Sequence, residues 1–501
     1  MNKISIIKNL LIKNVSLLVG DRFGFFTDLK TNYFYLLSLV VVILQFVYVL
    51  IYYKYLSSII PLWNFLNWGA DILASKQYIF ILPTLSLVVM LSCVSVSVYF
   101  MKYNLWSVSR FIAYFNLFNV LAFGVAIFTL IERSKITTLS FGPWFNLYFF
   151  PFLIAFAGTF ITSRVLIKNA DKLGIIEFPD LRDEPAKVLQ RPTPRAGGVA
   201  FWVGFTIACS AFLWYSQRVW GLIIGTFLIS LVGFLDDRYK LGYLSRLLLV
   251  LPVSIVIIVL SGFIMIYIPN PFGQPLKLDS WVFNFQLFGN HSIIVFAAIF
   301  AFLWLLWLSQ MLSFNNGIDG QFVAISSVTA LVIGLLSFRF GNLTYEQQIS
   351  AKISFITLGA LLGLFIDTFP PQKIIWGWGA TAVGLIFASL SLLSGTRVAS
   401  AFLVLLLPSI DVAYVLFVRL KEGKSPFKGD RNHLHHKLID LGWSKRKIAS
   451  FYWLISAVFG VLTYYTSGRS KALTTLMLTG VLLFALIVFR RYVGKLTALK
   501  S

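Results

Sequence analysis

Long apolar runs recur along this chain, and short segments rich in Gly, Pro and charged residues punctuate them. Each run is about 17–24 residues, enough to cross roughly 30 Å of hydrocarbon as a helix that satisfies its own backbone groups. The pattern predicts fourteen transmembrane helices, over residues 34–56, 78–101, 110–131, 146–167, 197–216, 219–235, 247–267, 293–313, 322–338, 351–366, 378–394, 398–418, 451–466 and 472–490. No small-residue cleavage site follows the first run, so it reads as a retained helix and not as a signal peptide.

The polar punctuation is uneven. Little in the first 140 residues compares with five segments further on. "DKLGIIEFPDLRDEPAKVLQRPTPRAGGVAF" links runs four and five, and "GFLDDRYKLGYLSR" follows run six. "LSFNNGIDGQF" follows run eight, "DTFPPQKIIWGWGAT" run ten, and "SPFKGDRNHLHHKLIDLGWSKRK" run twelve. With fourteen spans, all five face the same side. The chain is therefore expected to divide into residues 1–140, an N-terminal segment of three helices, and residues 141–501, a core of eleven.

Composition agrees with a membrane setting. Of 501 residues, 58% are hydrophobic and only 12% charged, which a soluble domain could not cover with polar surface. The fold class expected is an all-α polytopic integral membrane protein. The net charge of +23 invites a nucleic-acid reading, but Lys and Arg crowd the loops on the side of the termini. That bias is the positive-inside rule. It places both termini and the five segments in the cytoplasm, with the chain in the cell membrane, and it explains the charge as topology and contact with anionic lipid. Cys93 and Cys209 both fall in predicted spans, which argues against a disulfide framework.

The segments carry candidate chemistry, each beside a plainer reading. Asp236 and Asp237 end run six. Adjacent carboxylates repel unless a cation or solvent separates them, so the pair suits Mg²⁺ with substrate phosphates, or else it is a solvated helix end. In "NNGIDG", Asn316 and Asp319 would share a face of one helical turn; the alternative is a turn and cap. Asp411 stands in an apolar run, where a carboxylate is costly and faces a polar interior, a functional path or the interface. In "RPTPRAGG", Arg191 and Arg195 accompany stiffening prolines and permissive glycines, which would either brace a phosphate or tighten the start of the next helix. Three of the four histidines, His433, His435 and His436, lie within four positions among Lys and Arg. Such a cluster could bind zinc, but the surrounding cations would repel a dication and attract an anion. Imidazoles beside cations suit a diphosphate. A cation site and an anion-binding loop on one membrane face point to phosphoryl transfer, which needs positioning and charge neutralisation.

Over roughly residues 146–490 the sequence resembles the polyprenyl-phosphate N-acetylhexosamine-1-phosphate transferases, through "PTPRAGG", "GFLDDR", "GIDG", "FPPQKI", "LPSID" and above all "GDRNHLHHKLIDLGWS". The last is more similar to the His-x-His-His loop of the teichoic-acid and O-antigen branch than to the peptidoglycan branch. The resemblance implies that a lipid phosphate, undecaprenyl phosphate, attacks the β-phosphorus of a UDP-sugar, giving lipid diphosphate-sugar and UMP. This would begin a cell-envelope polysaccharide. It implies Mg²⁺ as cofactor, with Mn²⁺ the alternative, and a homodimer as the common assembly. By the same resemblance Asp236 and Asp237 are the catalytic pair, with Asp237, Asn316 and Asp319 toward the metal. His433, His435, His436, Arg431, Arg191, Arg195, Lys373 and Asp411 are the substrate-binding residues.

The sequence departs from the family pattern in places. Aligning "GIDG" puts Ser313 at a position usually Asn and Asn316 at one usually Asp; a shift by three makes Asp319 the acid but spoils the following match. Trp378 replaces an acid in "GWGAT", and Leu189 replaces the His before "PTPR". Two other classes compete: a lipid-linked sugar transporter, which should carry midplane polar groups and internal repeats, and a catalytically lapsed scaffold.

Overall fold

The structure is a computed structural model. It describes residues 29–53, 56–63, 72–102, 106–134, 145–179, 189, 191–239, 246–268, 270, 273–286, 290–339, 344–393, 397–425 and 431–498. Helices dominate it. They are α1 (Leu29–Tyr52), α2 (Ile81–Lys102), α3 (Trp106–Ser134), α4 (Phe150–Lys168), α5 (Gly197–Leu213), α6 (Gln217–Tyr239), α7 (Leu251–Leu260) and α8 (Val295–Phe314). There follow α9 (Gln321–Ser337), α10 (Tyr345–Thr368), α11 (Gly379–Leu392), α12 (Arg397–Val404), α13 (Leu406–Lys421), α14 (Leu434–Asp440), α15 (Lys445–Tyr465) and α16 (Gly468–Ala498). The strands form short two-stranded hairpins; Val282–Gln286 pairs antiparallel with Asn290–Ile294, for example.

The chain divides into two compact units, one of Met1–Ser140 with Ser210–Tyr215, the other of Phe141–Cys209 with Ser216–Ser501. In the first, α1, α2 and α3 pack through Val42, Met90 and Val120, and through a second cluster around Val49, Ile79 and Ile127. Polar cross-ties run through this apolar bundle. Tyr35 Oη donates to the Cys93 carbonyl at 2.9 Å, and Gln45 Nε2 to the Val120 carbonyl at 2.6 Å. Apolar faces alone give no preference between lipid and a neighbouring helix, so such hydrogen bonds help to fix register.

In the second unit, α9, α10 and α11 form the buried centre, and every residue of α11 is buried. Small residues let backbones meet. A Cβ at Gly359 on α10 would lie 2.2 Å from the Phe152 carbonyl oxygen of α4, and one at Gly363 would lie 2.5 Å from that of Phe156. Local signals set the helix starts. Thr344 and Gln347 form a reciprocal capping box on α10, Ser444 caps α15, and a proline stands in the first turn of α4 and of α7.

All fourteen predicted runs fall on helices, but not all are straight or long. Among the described residues nine helices are long and apolar enough to cross a membrane. Run twelve is a pair, α12 and α13, bent by 80°. The four remaining runs are shorter apolar helices, Gly197–Leu213, Leu248–Leu260, Gln321–Ser337 and Gly379–Leu392. Each of these begins at one of the polar segments of the core. Non-helical backbone at membrane depth is tolerated where protein, not lipid, surrounds it.

Candidate functional site

Residues 367–378, within the fourth polar segment, are the hub that the other segments contact. "PTPRAGG" lies against it as a short backbone ladder. Ile375 N donates to the Pro194 carbonyl at 2.8 Å, Gly197 N to Ile375 O at 2.8 Å, and Gly198 N to Trp376 O at 3.0 Å. Gly198 and Gly379 touch backbone to backbone, since a Cβ on Gly198 would sit 2.5 Å from Gly379 Cα. The ladder puts Arg191 Nη2 3.4 Å from the Gln372 carbonyl and pairs Arg195 with Glu177 at 3.1 Å. Lys373 is exposed, and its backbone N–H is tied to the Asp367 carbonyl. The Asp367 side chain, fully buried, accepts from Ser163 Oγ at 2.8 Å and pairs with Arg164 at 3.2 Å.

The end of α6 reaches the same hub. Gly233 faces Trp378 so closely that a Cβ would lie 2.5 Å from the indole's own Cβ. Asp236, one turn further on, is buried. Asp237 belongs to α6, but its side chain lies outside the described residues.

The turn between α8 and α9 joins the hub to the histidine loop. Asn315 is buried and donates to the Met311 carbonyl at 3.0 Å and the Pro408 carbonyl at 3.5 Å. Gly320 enters α9 with φ of 80°, in the left-handed region, and it lies against Pro370 and Phe369. Gly317 lies against His435; a Cβ there would be 2.5 Å from Nε2. Both carboxylate oxygens of Asp319 face Lys445 Nζ, at 3.0 and 3.1 Å. Asn316 is half-buried on the same turn. The adjoining Arg446 donates through Nε to the Pro370 carbonyl at 3.2 Å, tying α15 to the hub.

The three histidines are buried and grouped. The rings of His433 and His435 are parallel within 2° at 5.5 Å, and His436 lies 4.4 Å from His435. His433 Nδ1 is 2.9 Å from Asp411 Oδ2, and Leu434 N donates to Asp411 Oδ1 at 2.9 Å. Arg490 Nη2 donates to that same Oδ1. Arg431 is committed within the loop, to Asp440 at 2.7 Å. Burial, helped by His436, His433 and Arg490, holds the His435 imidazole well below the usual histidine range, so it is neutral near pH 7.

The other four polar segments therefore each touch residues 367–378, through the PTPR ladder, Gly233, Gly320 and Arg446, and Gly317 joins the turn to His435. Among the described residues no three His, Cys, Asp or Glu side chains are grouped to hold a metal ion. Sequence reasoning missed Arg490, Lys445 as partner of Asp319, and Asp367. Arg490 stands in "FRRY" near the end of an apolar helix, where cations are ordinary interfacial anchors. Asp367 was legible as an acid ending an apolar run.

Residues 219–395 match the family described as Glycosyl transferase family 4. That stretch takes in Asp236, Asp237, the turn and the hub, while the histidine loop lies beyond it. The chain is 25% identical over 356 residues to a probable undecaprenyl-phosphate N-acetylglucosaminyl 1-phosphate transferase of Bacillus subtilis, covering 70% of this chain and 91% of that one. It is 27% identical over 339 residues to a decaprenyl-phosphate N-acetylglucosaminephosphotransferase of Mycobacterium tuberculosis, covering 60% and 78%. An undecaprenyl-phosphate alpha-N-acetylglucosaminyl 1-phosphate transferase of Yersinia pestis is 26% identical over 321 residues, covering 62% and 81%.

Proposed function

Because the chain belongs to glycosyl transferase family 4, among the polyprenyl-phosphate N-acetylhexosamine-1-phosphate transferases, we propose that it transfers a sugar 1-phosphate from a UDP-sugar to undecaprenyl phosphate. An oxygen of the lipid phosphate bonds to the β-phosphorus, the bond from that phosphorus to the bridging oxygen breaks, and UMP leaves. The donor proposed is a UDP-N-acetylhexosamine, and the product begins a cell-envelope polysaccharide on the cytoplasmic face of the cell membrane.

The observation that carries this reading is the contact of the other four polar segments with residues 367–378. These segments carry carboxylates, guanidinium groups and imidazoles, the groups that joining two anions requires. Asp236 and Asp237 orient the lipid phosphate. Arg191, Arg195, Lys373 and Arg431 supply positive potential, and His433, His435 and His436 bind the nucleotide diphosphate.

Asp236, Asp237, Asn316 and Asp319 offer carboxylate and amide oxygens, the donor type a hard divalent cation takes. Asp319 already presents both its oxygens to a cationic group, Lys445. These residues would hold Mg²⁺, or Mn²⁺ in its place, and the bound ion would offset the repulsion between the two substrates.

The test is UMP release by purified protein given undecaprenyl phosphate, Mg²⁺ and a panel of UDP-sugars, beside Asp236→Asn and Asp237→Asn. Release that needs the lipid phosphate and disappears in both variants is expected. Folded protein that releases no UMP from any donor would overturn the reading in favour of a scaffold or transporter.

A further inference from the structure

Arg490 lies on α16, outside every polar segment of the sequence and outside the family match at 219–395. It nevertheless reaches the histidine loop. The Asp411 side chain is 0% exposed, and its Oδ1 accepts from Arg490 Nη2, whose own side chain is 10% exposed. Oδ2 of Asp411 takes His433 Nδ1 at 2.9 Å, with the His433 side chain 8% exposed. Leu434 N, the first residue of α14, donates to Oδ1 at 2.9 Å. The guanidinium of Arg490 is held in turn over the ring of Tyr414, 4.1 Å from its centroid, nearly one turn beyond Asp411 on α13. Three elements, α13, α14 and α16, thus meet at one carboxylate.

A buried carboxylate is tolerated only when it is paired and hydrogen-bonded, and this one is both. Its two oxygens are also used differently. Oδ1 holds the guanidinium and the start of α14, while Oδ2 is directed at a single imidazole nitrogen. Among the described residues Nδ1 makes the only hydrogen bond of the His433 ring, so Nε2 is the nitrogen left for a ligand. A carboxylate at Nδ1 fixes both the tautomer and the plane of an imidazole. The ring so fixed lies parallel to His435.

We propose that Arg490 and Asp411 are a positioning pair that sets the tautomer and orientation of His433, and so shapes the loop that takes the nucleotide diphosphate. Neither needs to touch substrate. Arg490 holds the carboxylate in place and compensates its charge, and the carboxylate holds the ring. The proposal rests on the transferase reading for the identity of the ligand, but the positioning itself is a property of the protein alone.

The experiment combines two readouts on Arg490→Gln, Arg490→Lys and the double variant Asp411→Asn with Arg490→Gln. The first is ¹⁵N NMR of histidine-labelled protein in detergent, feasible because the chain has only four histidines, with the His433 signal identified by its loss in His433→Asn. The second is steady-state kinetics, with binding of UDP alone as the measure if no donor turns over. Wild type should show His433 protonated at Nδ1 and bare at Nε2. Arg490→Gln should mix the tautomers and raise the donor KM by roughly 10- to 100-fold, the scale on which partners of working histidines act. The lipid KM should stay within about twofold, because uniform binding of only one substrate is lost. Arg490→Lys should fall between, since a point charge lacks the planar fork.

Arg490→Gln alone leaves a buried carboxylate uncompensated. The double variant removes both charges, so it should fold and still show the donor defect. An unchanged His433 tautomer in Arg490→Gln, or donor and lipid KM rising together in the double variant, would overturn the proposal. Absence of turnover in wild type, with the tautomer shift and the UDP defect still present, would count against the transferase reading and leave the positioning pair standing.

Discussion

Lys445 Nζ faces both carboxylate oxygens of Asp319, at 3.0 and 3.1 Å, with side chains only 19% and 9% exposed. The start of α15 thereby places a cation on the turn that the proposed metal would need. Lysine and metal compete for one carboxylate. Lys445→Met should therefore lower the Mg²⁺ concentration that gives half-maximal UMP release several-fold. An unchanged or raised Mg²⁺ requirement would show that the turn needs its lysine to keep its shape.

Close approach makes two glycines sensitive in different ways. At Gly198 an added methyl meets the backbone of Gly379, which cannot rotate away. Gly198→Ala should destabilise the protein by about 1–3 kcal/mol, the usual cost of overpacking, read as a lowered thermal midpoint in detergent. At Gly317 the methyl meets the His435 ring. Gly317→Ala should displace the histidine loop and depress activity while the thermal midpoint moves less than in Gly198→Ala.

The neutral, buried state of His435 carries a pH signature. Its folded pKa is held well below the ordinary 6.5, so below that pH the unfolded chain binds a proton that the folded protein refuses. Stability must then fall as pH drops from 6.5 toward the folded pKa, by at most about 1.4 kcal/mol per pH unit for one such group. Above 6.5 this group contributes no slope. His435→Asn should flatten the fall, measured as thermal midpoint against pH from 7 down to 5.

Asp367 ties the hub to α4 through Ser163 and Arg164. Asp367→Ala would leave the Arg164 guanidinium without its partner, while Ser163 Oγ could still donate to the Phe160 carbonyl, at 2.9 Å. A loss of about 1 kcal/mol is expected from the lost interaction, again read from thermal unfolding. Asp367→Asn, which can still accept from Ser163, should recover part of it.

The helices were legible because lipid imposes length and apolarity together, and each predicted run found its helix. Straightness was legible only in part: the 80° bend between α12 and α13 falls just before Pro408, which has no N–H to give the Val404 carbonyl four positions back, where α12 ends. The grouping of polar segments was readable from loop parity, and the histidine cluster from composition. Partners were not. Nothing near "FRRY" announces that Arg490 will find Asp411, because that pairing joins residues 79 positions apart through tertiary packing. Trp378 read as a lost acid, and the structure gives it a place as the wall against which Gly233 of α6 packs.

The dependence of the histidine loop on α16 also has a temporal side. Asp411 and His433 emerge from the ribosome well before Arg490 does, and segments fold in the order of synthesis where their contacts permit. Until α16 has been inserted, the carboxylate has no guanidinium and the start of α14 is held by an uncompensated charge. The histidine loop of the nascent chain thus takes its final form only after α16, which is inserted later than the loop itself and later than α15.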